Sequence, residues 1–184
     1  MAPFLIVLFA VLIWPCLAQG AEKKVKRRPF TPPSAPTEVT GVNDVNLQEY
    51  FKAGQDELKN GRADEALKVF QAVHAYTADN LQFMKYTKEA YEKALSDPNL
   101  AQSQREDLFL KLQRIGILSS RYGRVKGESA YFMGAAYAKK GDTAQARKHL
   151  LEACQALPFS LDPASLWIRS KALFLSLALL DGEF

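Results

Sequence analysis

The chain has 184 residues, 48% of them hydrophobic, and a formal net charge of +4, which is enough for one domain with a proper core and leaves no room for two. Much of the positive charge sits in one short run, Lys23, Lys24, Lys26, Arg27 and Arg28, so the remainder is close to neutral and a basic nucleic-acid face is not indicated. With only two cysteines, Cys16 and Cys154, and two histidines, His74 and His149, neither a disulfide framework nor a Cys/His zinc site is expected.

In chain order, Phe4 to Leu17 is an apolar run interrupted only by Pro15 and followed by Ala18-Gln19-Gly20-Ala21. Residues 1–20 read as a secretory signal peptide cut after Ala18 or Gly20, since the run is short for a membrane span. Two features point instead to an uncleaved anchor with the domain in the cytoplasm: no Lys or Arg precedes the run, and the basic cluster follows it. A lipid-modified Cys16 is a third reading, poorly matched by the preceding Ile13-Trp14-Pro15. Removal of Cys16 would leave Cys154 alone, with no intramolecular disulfide, as a small buried residue on an apolar helix stripe. Residues 21–46 combine the basic cluster with Pro29, Pro32, Pro33 and Pro36 and read as a stiff linker, whose basic run is read first as a solvated stretch and alternatively as a contact for anionic lipid or peptidoglycan-associated acids.

From residue 47 the apolar spacing is helical. A first hairpin over 47–78 carries Tyr50, Ala53 and Gly54, then Asn60-Gly61, then Ala66 and Phe70. A divergent pair over 80–121 follows, with Leu81, Met84, Tyr91 and Leu95 on one helix, ended by Asp97-Pro98-Asn99, and Leu108, Leu112, Ile115 and Leu118 on the next. Tyr122-Gly123 is read as a break. The second hairpin, 127–158, offers Tyr131, Met133, Gly134, Tyr137 and Ala138, a turn at Lys139-Lys140-Gly141, a cap at Asp142 or Thr143, the stripe Ala146, Leu150, Ala153 and Leu157, and Pro158 as a stop. A last helix over 163–181 opens with Asp162 as cap and Pro163 in its first turn. Leu166, Leu173, Leu177 and Leu180 on that helix can cover the preceding hairpin. Trp167, Phe174 and Ala178, flanked by Leu175, form a second stripe that reads either as a contact surface for another copy or envelope protein, or as a face covered by the chain itself.

Gly61 and Gly141, and again Ala66 and Ala146, are each 80 residues apart. With the order aromatic, small, Gly, turn, Ala, apolar, the two hairpins resemble the tetratricopeptide repeat family, whose signature runs W-x2-L-G-x2-Y, A-x3-F, P over ~34 residues. The second copy matches with Ala130, Met133, Gly134, Tyr137, Ala146, Leu150 and Pro158, the first with Tyr50, Ala53, Gly54, Ala66 and Phe70. Glu57 and Ala78 depart from the expected aromatic and proline, and Ala130 from the large aromatic. An ordinary helical bundle gives the same periodicity but does not require two hairpins in one register. The expected fold is all-α, a short antiparallel helix-hairpin solenoid of about three helix pairs plus a C-terminal helix.

The resemblance implies a concave groove lined by the first helix of each pair, here Phe51, Gln55, Leu58 and Lys59 with Tyr131, Ala135, Ala138 and Lys139. The alternative is that these residues contact neighbouring repeats. Relatives that hold a terminal carboxylate pair Lys with Asn; Gln55 and Ala135 stand where Asn is expected, so the groove should be mainly apolar. No nucleophile with a base, no H-E-x-x-H and no phosphate loop is present. Gly127-Glu128-Ser129-Ala130-Tyr131 lacks the last glycine of a nucleophile elbow, and Ser129 reads as a helix-start residue. The expected function is therefore non-enzymatic protein or peptide binding without cofactor or metal, by an exported, secreted or periplasmic adaptor or assembly factor of a bacterial envelope. Its alternatives are a membrane-anchored protein facing the cytoplasm and, third, an enzyme with an unrecognised site.

Overall fold

A computed structural model describes residues 41–179. Among them are five helices and no strand: α1 (Leu47–Lys59), α2 (Ala63–Leu95), α3 (Gln102–Lys139), α4 (Thr143–Ala156) and α5 (Leu166–Ala178). Each packs on the next, and α3 also touches α1 and α5. The sequence regions read as signal peptide or anchor, Cys16 and most of the linker lie outside the described residues, as does Leu180.

The α1/α2 and α3/α4 turns are built alike. Gly61 and Gly141 have φ of +80° and +78°, the left-handed conformation a side chain resists. Across each turn an N–H reaches back over the helix end, Arg62 to the Glu57 carbonyl and Asp142 to the Tyr137 carbonyl, both at 3.0 Å. Asp142 is the cap of α4, accepting from the Gln145 N–H at 3.0 Å. Within each hairpin a glycine admits a large partner: Gly54 faces Phe70, and Gly134 faces Leu150. Both pairs stand 80 residues apart, like the turn glycines.

The middle of the chain differs from the sequence expectation. The helices expected over 80–96 and 103–121 are the far halves of α2 and α3, so the described residues hold five helices rather than the seven expected. Nothing at Ala78-Asp79-Asn80 stops α2: the Asn80 amide donates to the Tyr76 carbonyl at 2.8 Å within the helix. Gly123 does not break α3 either, because one glycine costs only about 1 kcal/mol and its neighbours Tyr122 and Val125 are buried in the core. Gly127 and Ser129 consequently lie inside α3, where the Ser129 hydroxyl donates to the Lys126 carbonyl at 2.8 Å, and neither marks a helix start.

The far halves pair antiparallel, with the Ser119 hydroxyl 3.5 Å from the Met84 sulfur. At the tip, Arg105 donates to the carbonyls of Leu95, Asp97 and Leu100. Between Met84 and Tyr122 neither helix has a buried residue, and Phe83, Phe109 and Ile117 are exposed. At the other end Asp44 accepts from the hydroxyls of Tyr76 and Tyr122, which fastens the segment before α1 to α2 and α3.

The core has two centres. One gathers Leu47, Phe51, Phe70, Val73, Met84, Tyr122 and Met133. The other gathers Tyr131, Leu150, Ala153 and Leu157 under α5, and Phe132 packs on both. Helix α5 starts three residues later than the sequence implies. Ser165 caps it, accepting from the Ile168 N–H, while Asp162 and Pro163 form a turn in which Asp162 accepts from the Ala164 N–H at 2.9 Å.

Candidate functional site

Helices α1 and α3 present matching positions toward one another, Gln55 with Ala135 and Lys59 with Lys139, and α5 closes the third side. Between them lies a cleft of about 420 Å³ lined by Gln55, Leu58, Lys59, Tyr131, Phe132, Ala135, Lys139 and Arg169. Its position is fixed by the turns. Lys139 donates to the Leu58 carbonyl at 2.9 Å, satisfying the C-terminus of α1 from α3, and Lys140 pairs with Asp64 at the start of α2.

Leu58, Tyr131, Phe132 and Ala135 give the cleft an apolar lining, with the Tyr131 and Phe132 rings edge to face at 5.0 Å. The Arg169 guanidinium lies 5.2 Å from the centre of the Tyr131 ring. Lys59 stands 3.4 Å from Asp56 at the exposed rim, and among the described residues no carboxylate lines the cleft.

Of the eight residues the sequence assigns to a groove, Gln55, Leu58, Lys59, Tyr131, Ala135 and Lys139 line this cleft. Phe51 is in the core instead, its ring edge-on to Phe70 and Phe132. Ala138 is half-buried and does not line the cleft. Sequence reasoning missed Phe132 and Arg169. Phe132 adjoins a position already assigned and was open to discovery; Arg169 comes from α5, whose docking no repeat pattern specifies.

The α5 stripe of Trp167, Phe174, Leu175 and Ala178 is half-buried throughout. Trp167 and Phe174 pack against the second core centre. The Trp167 indole donates to the Cys154 carbonyl at 3.1 Å and stands edge-on to Phe159, and Arg147 lies over Phe174. The chain's own residues therefore cover much of the surface that the sequence left open to a partner.

A second cluster was not foreseen. Both histidines meet one carboxylate, Glu152 of α4: His74 of α2 at 2.8 Å, His149 at 3.6 Å, with Lys126 of α3 at 3.0 Å. The His149 ring stacks on Tyr137, and its Nδ1 has no hydrogen-bond partner among the described residues. Among the described residues no group of His, Cys, Asp and Glu is placed to hold a metal ion, and here the Lys126 ammonium already occupies the carboxylate.

Burial lowers the affinity of His149 for a proton below its ordinary value of 6.5, outweighing the attraction of Glu152. Burial alone would raise the Glu152 carboxyl, but the hydrogen bonds and charges of His74 and Lys126 hold it below its ordinary 4.5. Both folded groups thus bind protons less readily than in the unfolded chain, so stability should fall as pH drops below about 6.5 and again below about 4.5. Glu128, raised by burial against the pull of Arg124, works in the opposite sense, gaining stability as pH falls toward about 4.5 from above. Lys126 and Lys148 are the ammonium groups near His149, and the His74 ring is its titratable neighbour on α2. His149→Phe keeps the stack on Tyr137 and removes the titration. It is expected to flatten the decline in melting temperature between pH 7 and 5; an unaltered slope in thermal denaturation would place the pH dependence elsewhere.

A scan against models of protein families, a search of curated proteins and a search of solved structures each returned no match.

Proposed function

We propose that this chain is a non-enzymatic binding module of tetratricopeptide type, whose α1/α3/α5 cleft receives a segment of a partner protein. The observation that carries the reading is the convergence of six residues assigned from the repeat pattern, three on α1 and three on α3, around one cleft. A solenoid built from hairpins in common register explains why equivalent side chains face each other there. Helix α5 acts as the cap of such a stack, covering Leu150 and Leu157. The role that fits is an exported adaptor or assembly factor in a bacterial envelope, as the apolar leader and its small-residue site imply. The basic run after the leader favours the second reading, a membrane-anchored protein with the same module.

The test is a photo-reactive phenylalanine at Gln55 in the full chain, expressed in its own cells, with a second at the exposed Ala144 of α4 as control. A discrete adduct is expected from Gln55, absent from Ala144 and abolished by Ala135→Trp, which fills the cleft. Equal adducts from both positions, or an adduct indifferent to Ala135→Trp, would sink the reading. The mass of the recovered chain separates the two locations: a start near Gln19 or Ala21 goes with export, an intact Met1 in membranes with anchoring.

A further inference from the structure

We propose that the cleft selects an acidic segment, in which carboxylate side chains flank an apolar one. The inference rests on the binding-module reading and adds the chemistry of the partner. Three cations from three helices, Lys59, Lys139 and Arg169, border an apolar lining that includes no carboxylate among the described residues; Asp56, 3.4 Å from Lys59, stands outside it at the rim. Lys139 has spent one of its three donors on the Leu58 carbonyl, which anchors the ammonium at the cleft while leaving two donors free. The Arg169 guanidinium lies over the Tyr131 ring, 5.2 Å from its centre, a cation–π contact that uses none of its N–H donors and leaves them for a carboxylate.

Charge decides which segment gains most from this arrangement. A neutral apolar segment would cover Leu58, Tyr131, Phe132 and Ala135 but would partly dehydrate cations without replacing their water, and a basic one would be repelled. Carboxylates on either side of an apolar residue satisfy both parts of the cleft at once. A simple anion would meet the cations and leave the apolar lining wet. Nucleic acid would need a longer basic track than three side chains around about 420 Å³.

The probe is a fluorescent peptide of alternating glutamate and leucine, acetylated and amidated so that only side chains carry charge, titrated against the full chain. Its glutamine–leucine counterpart is the control. The acidic peptide is expected to bind at least about tenfold more tightly than the control, a difference of roughly 1.4 kcal/mol, and to weaken by a similar factor in Arg169→Gln and in Lys59→Gln. Both side chains are exposed, so circular dichroism should show each variant folded. Equal binding of the two peptides would overturn the acidic selection while leaving a cleft that binds peptides. Binding of neither, or displacement of the acidic peptide by equimolar inorganic phosphate, would overturn it too. The cross-link from Gln55 is independent of all these outcomes, so the broader reading stands or falls separately.

Discussion

Phe70→Ala is expected to lower the stability of the domain by about 3–5 kcal/mol, the range for deleting a fully buried aromatic side chain. Phe70 is wholly inaccessible, stacked on Phe132 with ring centres 5.1 Å apart and edge-on to Phe51 at 5.6 Å. Against it lies Gly54, where even a Cβ would stand 2.9 Å from the ring tip. A glycine has no side chain with which to fill the space Phe70 vacates, so the cavity persists and its cost falls at the upper part of the range. Phe132 loses its stacking partner as well, and because it lines the cleft, peptide binding should weaken in the same variant. Urea denaturation checks the first effect; a loss below about 1 kcal/mol would mean that the α1/α2 hairpin collapses onto the void. Phe70→Leu keeps most of the volume and should cost only about 1.5 kcal/mol or less.

The two hairpins were legible because their determinants are local. A positive-φ glycine, a capping aspartate and a small residue opposite a large one each leave a mark within a few positions, and Gly61, Asp142, Gly54 and Gly134 are such marks. Even a departure from the pattern has a local solution. Glu57, at the position of Tyr137 in the other copy, is buried and accepts from the Arg62 side chain just past the turn, which holds its carboxyl below the ordinary range. The lengths of α2 and α3 were not legible. Asn80 and Gly123 are weak helix formers, and what carries the helices through them is tertiary: the burial of Thr77 and Met84 on one side and of Tyr122 and Val125 on the other.

The cleft was legible on its α1 and α3 sides and not on its α5 side. Lys59 and Lys139, 80 residues apart, occupy the same step of the two hairpins, and Lys139 reaches the Leu58 carbonyl across the cleft. Arg169 depends on how α5 lies over Leu150 and Leu157, a packing decided by side chains far apart in sequence. The cluster on Glu152 has the same origin. Its members come from α2, α3 and α4, and no spacing within one helix announces that both histidines will face one carboxylate.

The crossing of α3 and α4 supplies the second large expected effect. Gly134→Leu should destabilise by about 1–3 kcal/mol or more through overpacking. A Cβ there would meet Leu150 Cγ at 2.7 Å and Cδ2 at 2.9 Å, and the Ala146 carbonyl oxygen at 3.2 Å. Leu150 is fully buried and cannot swing aside, and the Ala146 oxygen belongs to the backbone of α4, so the helices must separate. Gly134→Ala sets two terms against each other: alanine gains about 1 kcal/mol in helix propensity, while crowding costs a similar or larger amount. Gly116→Ala on the same helix supplies the reference, since none of the described residues lies within 4 Å of its Cβ position; it should stabilise by about 0.5–1 kcal/mol. Adding Leu150→Ala to Gly134→Ala removes the Cγ contact but not the one with the Ala146 oxygen, so a double-mutant cycle should show partial relief. If Gly134→Ala stabilised the domain as much as Gly116→Ala does, the close approach of α3 to α4 would be wrong, and with it the small-to-large pairing that both hairpins share.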